Sequence, residues 1–293
     1  MSTDIINIET SDSNTFELIL KVIKEVILQA NIQFKKKMRK DEETGEEKMQ
    51  SYLEIHTPNS KGTIFIHLKL NTNGSSFDKF YITDLKKSFN IGIDIQKLYG
   101  HIKSTEKESK LTLIVNENTN RYLDIINESK DGIIKKKVKM PILELAVSKP
   151  RNHNAVYDVC VAINSVDFNT HCKQLDKHAE KIEIICRVNC LIMKTYNDND
   201  DYDSKIEYIM KYDPNEKNSR LKILMDEKRE DISNYEVRGI FYLKDIIAFS
   251  KCQDLAQSVN LYMLNTKLMV LQYNIAKDGE LILFFAGCNE KKN

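Results

Sequence analysis

The sequence predicts an α+β chain built from two similar antiparallel-sheet domains, and three observations carry that prediction. Runs of alternating apolar and polar residues fill most of the 293 positions. Four short stretches break the alternation with helical spacing instead. Those four fall into two pairs, which reads as a structural duplication.

The strands come first. Ile64, Ile66, Leu68 and Leu70 alternate with Thr63, Phe65, His67 and Lys69, and Ile206, Tyr208, Met210 and Tyr212 alternate with Lys205, Glu207, Ile209 and Lys211. Similar runs cover 110–116, 121–126, 156–163, 181–187, 190–196, 221–225, 257–264, 268–275 and 280–286. A period of two with one polar face fits antiparallel sheet that is wet on one side.

The helices follow. In 15–30, Phe16, Ile19, Ile23, Val26 and Ala30 share a face; in 95–104, Leu98 and Ile102 do. In 166–178 the face is Phe168, Cys172 and Leu175, and in 243–252 it is Ile246, Ile247 and Ser250. The first two start about 79 residues apart and the last two about 77, with equivalent helices about 150 apart. Between the halves, Pro141–Val156 reads as an extended connector, which sets domains at 1–140 and 157–293 around a 141–156 linker. Lys35–Lys48 and Asn197–Ser204 read as solvated insertions.

Composition narrows the function classes. With 41% hydrophobic and 30% charged residues the chain can bury cores and is not disordered. No apolar run reaches membrane-spanning length, and MSTDIINIET has no secretory pattern, so a soluble intracellular protein is expected. The 44 basic and 43 acidic residues leave a net charge of +1, which excludes a gross polyanion binder but not a segregated basic stripe. Only seven basic residues are Arg; the Lys excess suits phosphates better than base edges.

Catalytic and metal signatures are missing. His171, Cys172, Cys186 and Cys190 form the densest Cys/His cluster, but with helix-face and strand positions and no CxxC knuckle they read as core thiols, so no metal is expected. Asp198, Asp200, Asp201 and Asp203 lack the spacing of a calcium loop. No glycine-rich phosphate loop, nucleophile elbow or H-E-x-x-H is present, so neither an enzyme nor a cofactor is expected. What remains is a pair of lysines on each helix: Lys21 and Lys24, Lys97 and Lys103, Lys173 and Lys177, Lys244 and Lys251. Acidic neighbours such as Glu17, Glu25, Asp167 and Asp245 make any single one ordinary, yet four such helices on one surface would meet a phosphate backbone without reading sequence.

Four segments carry a family resemblance. Phe89–Val115 looks like a strand–helix–strand, Tyr157–Cys186 like a domain opening, Leu243–Leu264 holds Phe249-Ser250-Lys251 at a helix end, and Leu268–Ala286 holds YNIAKDGELILFFA. In order and spacing the chain resembles the proliferating cell nuclear antigen family, the eukaryotic-type DNA sliding clamps. The resemblance implies a two-domain clamp fold with four short helices lining one face. It implies a homotrimeric ring around duplex DNA that tethers DNA polymerase and other replication proteins at a replication site, in the nucleus or, for a viral member, in the cytoplasm. Lys24, Lys103, Lys173, Lys244 and Lys251 fall at the family's DNA-facing basic positions, whereas Glu17, Leu18, Gly100 and Thr170 fall at others and are not basic. Leu143, Leu145 and Val147, with Leu268, Phe284 and Ala286, fall where the family docks partner peptides. The connector's Pro150, Arg151 and Asn152 replace apolar residues, which favours an acidic peptide. Ring closure is expected through edge strands near Ile133–Lys139 and Leu191–Tyr196. The rival readings are a non-closing monomeric clamp-fold accessory factor and a metal-dependent nuclease using Asp198–Asp203.

Overall fold

The computed structural model describes residues 4–40, 47–72, 77–83, 88–103, 109–147, 156–197, 205–213, 215, 221–225, 235–275 and 279–288. The chain divides into two compact units. The first comprises Met1–Ser60, Ile66–Pro150 and Asn274–Leu281; the second comprises Lys61–Phe65, Arg151–Tyr273 and Ile282–Asn293.

The first half runs β1 (Asp4–Thr10), α1 (Ser13–Ile23), β2 (Gln29–Lys40), β3 (Glu47–Pro58), β4 (Ile64–Asn71), β5 (Lys79–Ile82), β6 (Ser88–Asp94), α2 (Ile95–Ile102), β7 (Lys110–Asn116), β8 (Tyr122–Glu128) and β9 (Lys135–Pro141). The second runs β10 (Val159–Asn164), α3 (Ser165–Leu175), β11 (Lys181–Arg187), β12 (Cys190–Tyr196), β13 (Glu207–Lys211), β14 (Leu221–Met225), β15 (Glu236–Tyr242), α4 (Leu243–Ile247), β16 (Ser258–Leu264), β17 (Leu268–Ile275) and β18 (Gly279–Ala286). The order of strands and helices is the same twice. So is the pairing: β1–β5, β1–β7, β7–β8, β2–β3 and β2–β6 reappear as β10–β14, β10–β16, β16–β17, β11–β12 and β11–β15, all antiparallel. The duplication inferred from helix spacing is thus a duplication of topology.

In the first unit the order β5-β1-β7-β8-β9 makes one sheet, and β3-β2-β6 the body of another. Helices α1 and α2 pack together and bury Phe16, Ile19, Leu20 and Ile23 with Ile95, Leu98 and Ile102. In the second unit β13-β12-β11-β15 forms one sheet and β14-β10-β16-β17 the other, with α3 packed on α4 through Phe168, Cys172, Leu175, Leu243 and Ile246. Burying these apolar faces is what fixes short helices that would be marginal alone.

Several expectations need correction. The first helix ends at Ile23, not near Ala30: the amides of Glu25 and Val26 bond back to Val22 and Ile23, tightening the last turn, and Ala30, Ile32 and Phe34 then alternate as strand β2. Residues 35–40 and 47–48 are not a solvated insertion, because β2 and β3 pair as far as Lys40↔Glu47; 41–46 lie outside the described residues. The last predicted helix is α4 followed by a 3₁₀ turn, Ser250–Asp254. The polar face expected on β4 is not wet, since Phe65 and His67 are buried alongside Ile66 and Leu68.

Candidate nucleic-acid and partner-binding surfaces

Helices α1, α2 and α3 are each started by a side-chain cap and end in a cation, whereas α4 has no side-chain cap. Asp12 Oδ1 accepts from the Thr15 amide at 3.1 Å, Asp94 Oδ1 from Lys97 at 2.9 Å, and Asn164 Oδ1 from Val166 and Asp167 at 3.0 and 3.2 Å. These side chains satisfy amides that the first turn leaves free. At the other end, Lys24 and Lys103 occupy the C-cap positions of α1 and α2, Lys173 the last turn of α3, and Lys251 the last turn of the 3₁₀ segment. A helix C-terminus attracts cations on its own account. The position therefore stabilises the fold whether or not DNA is present.

The five lysines are not equally available. Lys103, Lys173 and Lys244 are exposed, whereas Lys24 and Lys251 are half-buried. Lys24 Nζ sits 3.0 Å from Glu25 Oε1 and 4.9 Å from the centre of the Tyr99 ring. Lys244 Nζ lies 5.6 Å from the Tyr242 ring. Exposed ammonium groups of this kind are mobile point charges that meet phosphates without selecting bases. Among the positions that are not basic, Gly100 is exposed on α2 with nothing within 4 Å of where a Cβ would stand, and the Thr170 hydroxyl donates to the Val166 carbonyl at 2.7 Å.

The six partner-site residues belong to separate units. In the first, Leu143 donates its amide to Gly92 O at 2.8 Å, and Asn31 Nδ2 donates to the carbonyls of Leu145 and Ala146 at 3.3 and 2.8 Å. Gly92 is required there, since a Cβ would stand 2.2 Å from Leu143 O. Leu143 and Leu145 are half-buried and Val147 is exposed; the rest of the linker, 148–155, lies outside the described residues. In the second unit Phe284 is buried with Phe65, Val270 and Ile282, its ring edge-on to Phe65 at 6.1 Å, and Leu268 packs against this cluster. Ala286 is exposed and lines a cavity of about 290 Å³ with Lys181, Tyr242, Asp245 and Cys288.

The strand edges differ in part from expectation. β9 is an edge strand, and Ile133 and Ile134 beside it are exposed. Leu191–Tyr196 is not an edge: it is β12, paired on one side with β11 and on the other with β13. β13, Glu207–Lys211, is the outer strand on that side of the sheet among the described residues, and its Ile209 is 55% exposed. Alternation identified β13 as a strand; only the topology shows that it lies outside β12.

The cysteines are packing residues among the described side chains. Burial pushes the thiols of Cys172, Cys186 and Cys252 far above the ordinary range, which keeps them protonated and unreactive. Asp198–Asp203 lie outside the described residues.

Comparison with known proteins agrees with this architecture. Residues 152–288 match the family model of the proliferating cell nuclear antigen (PCNA) C-terminal domain. A curated relative, a probable DNA polymerase sliding clamp of Acanthamoeba polyphaga mimivirus, is 18% identical over 256 residues, 84% of this chain. The chain spans about half the length of that relative, 51%. The crystal structure of PCNA from Entamoeba histolytica is similar with a TM-score of 0.77 at 15% identity, covering 98% of this chain and 100% of that one. The chain has the sliding-clamp fold, and its residues 152–288 are similar to the PCNA C-terminal domain.

Proposed function

We propose that the protein is a DNA polymerase processivity factor, a clamp that holds replication proteins to duplex DNA at a site of DNA replication and catalyses no reaction itself. The observation that carries this reading is the doubled topology, which gives each half two packed helices with lysines on or just beyond them. Lys24, Lys103, Lys173, Lys244 and Lys251 would touch phosphates. A closed ring needs only weak, salt-screened attraction, because it slides without leaving.

Closure requires head-to-tail pairing that returns on itself. The outer strands β9 in one copy and β13 in the next are suited to it, with Ile133, Ile134 and Ile209 as exposed apolar residues to cover. Three copies would complete the ring. Partner peptides would anchor at the linker residues Leu143, Leu145 and Val147 and at Leu268 and Ala286, with the buried Phe284 supporting Leu268 from beneath.

The test is retention on nicked circular DNA against the same DNA linearised, at high salt. Retention on the circle with loss from linear ends is expected. Equal, salt-sensitive binding to both would instead favour an accessory factor that does not close, and magnesium- or manganese-dependent cleavage would favour the nuclease reading.

A further inference from the structure

On the sheet face opposite Leu53, Ile55, Ile66 and Leu68, three donor side chains converge outside every surface described above. Glu54 and His56 stand two residues apart on β3, so they share a side, and His67 reaches them from β4. His56 Nε2 lies 3.1 Å from Glu54 Oε2, and His67 Nε2 lies 3.9 Å from Glu54 Oε1. One donor atom from each residue lies within 4.8 Å of the other two. All three are buried, at 8%, 3% and 6% exposure.

The competing reading is a buried ionic network, since Lys35 Nζ also sits 2.7 Å from Glu54 Oε2. The donor spacing suits an ion instead. Bonds of roughly 2.0–2.2 Å in a tetrahedron set donors about 3.4 Å apart. The separations of 3.1 and 3.9 Å bracket that value. Two imidazoles with one carboxylate favour a borderline divalent cation over magnesium or calcium, which want oxygen.

We infer that Glu54, His56 and His67 bind one zinc-class divalent cation, with water completing the tetrahedron. The two rings now stack with centroids 4.2 Å apart and planes at 26°. Their lone pairs meet on one ion once a ring turns about χ2, a soft torsion. The half-exposed Lys35 ammonium competes for the same carboxylate, and its stem can swing to solvent. Bound metal would cross-link β3 to β4. The same face carries Asn31, next to Ile32 in the β2–β3 register, which holds Leu145 and Ala146. The ion would thus stiffen the sheet on which the linker begins.

The experiment titrates chelator-stripped full-length protein with Zn²⁺ by calorimetry and follows melting temperature, with Co²⁺ as the spectroscopic probe. One equivalent is expected to bind and raise the melting temperature. Co²⁺ should give visible ligand-field bands without a thiolate charge-transfer band. Glu54→Gln and His67→Gln should abolish binding, while Lys35→Met should tighten it roughly tenfold or more, because a unit positive charge leaves the site. The Lys35 variant guards against misfolding, since a damaged site does not gain affinity. No saturable binding by wild type, full affinity in a His56→Gln/His67→Gln variant, a thiolate band, or unchanged or weakened binding by Lys35→Met would each overturn the assignment.

Discussion

The ammonium of Lys24, at the end of α1, stands 4.9 Å from the centre of the Tyr99 ring on α2 and 3.0 Å from Glu25. One lysine thus ties the two helices of the first unit together and is only 23% exposed. Its availability to DNA is limited by the contacts that hold the helices.

That relationship ranks the lysines. Replacing Lys103, Lys173 or Lys244 by Ala should flatten the salt slope of DNA binding by about one unit per phosphate contact, equally on unrelated sequences. Lys24→Ala should change DNA binding least and melting temperature most. Glu25→Gln, which frees Lys24, should strengthen binding. Equilibrium titrations at several salt concentrations on two unrelated duplexes check the order.

Gly100 offers a gain. Its helical backbone and open surroundings accept a side chain without conflict. Gly100→Lys should stabilise α2 by about 1 kcal/mol from helix propensity. It should also raise DNA affinity, and the gain should vanish at high salt. Gly100→Ala separates the two effects by giving the stability alone.

Phe284 and Ala286 separate core from surface. Phe284→Ala should cost about 3–5 kcal/mol of stability, the usual penalty for truncating a buried Phe. Ala286→Arg should leave the melting temperature near wild type but weaken binding of a polymerase-derived peptide. Denaturation and peptide titration on both variants test the pair. Ala286→Arg with wild-type affinity would remove this surface from the partner site.

The thiols give a pH prediction. Burial raises the pKa of Cys172, Cys186 and Cys252, so the protonated form is favoured at every pH the fold survives. Raising the pH from 7 to 9 should therefore not expose them to a thiol reagent. Only Cys160 and Cys288 are half-buried, so at most two of the six should react quickly in the native protein. Denaturant should release the rest.

Much of the fold was legible because alternation survives where apolar residues face a core, as in β7, β10 and β16. It failed where both signals overlapped. Ala30 fits the α1 stripe and the β2 alternation equally, and only the turn after Ile23 decides between them. The lysines of β2 concealed a paired strand as a charged loop. Helix lysines were visible by spacing, but not their partners: the Tyr99 ring beside Lys24 comes from a helix some 75 residues away. The outer position of β13 was hidden for a related reason, since order within a sheet is not written in periodicity. Glu54 and His56 did leave a signal, two donor residues on one side of a strand; their third partner is set by the pairing with β4.

Light scattering after size-exclusion chromatography tests the central claim most directly. A ring closed through β9 and β13 predicts a mass three times the 34.1 kDa of the chain, falling to 34.1 kDa when Ile209 on β13 is replaced by Lys. A wild-type mass of 34.1 kDa at every concentration, with DNA binding intact, would contradict it.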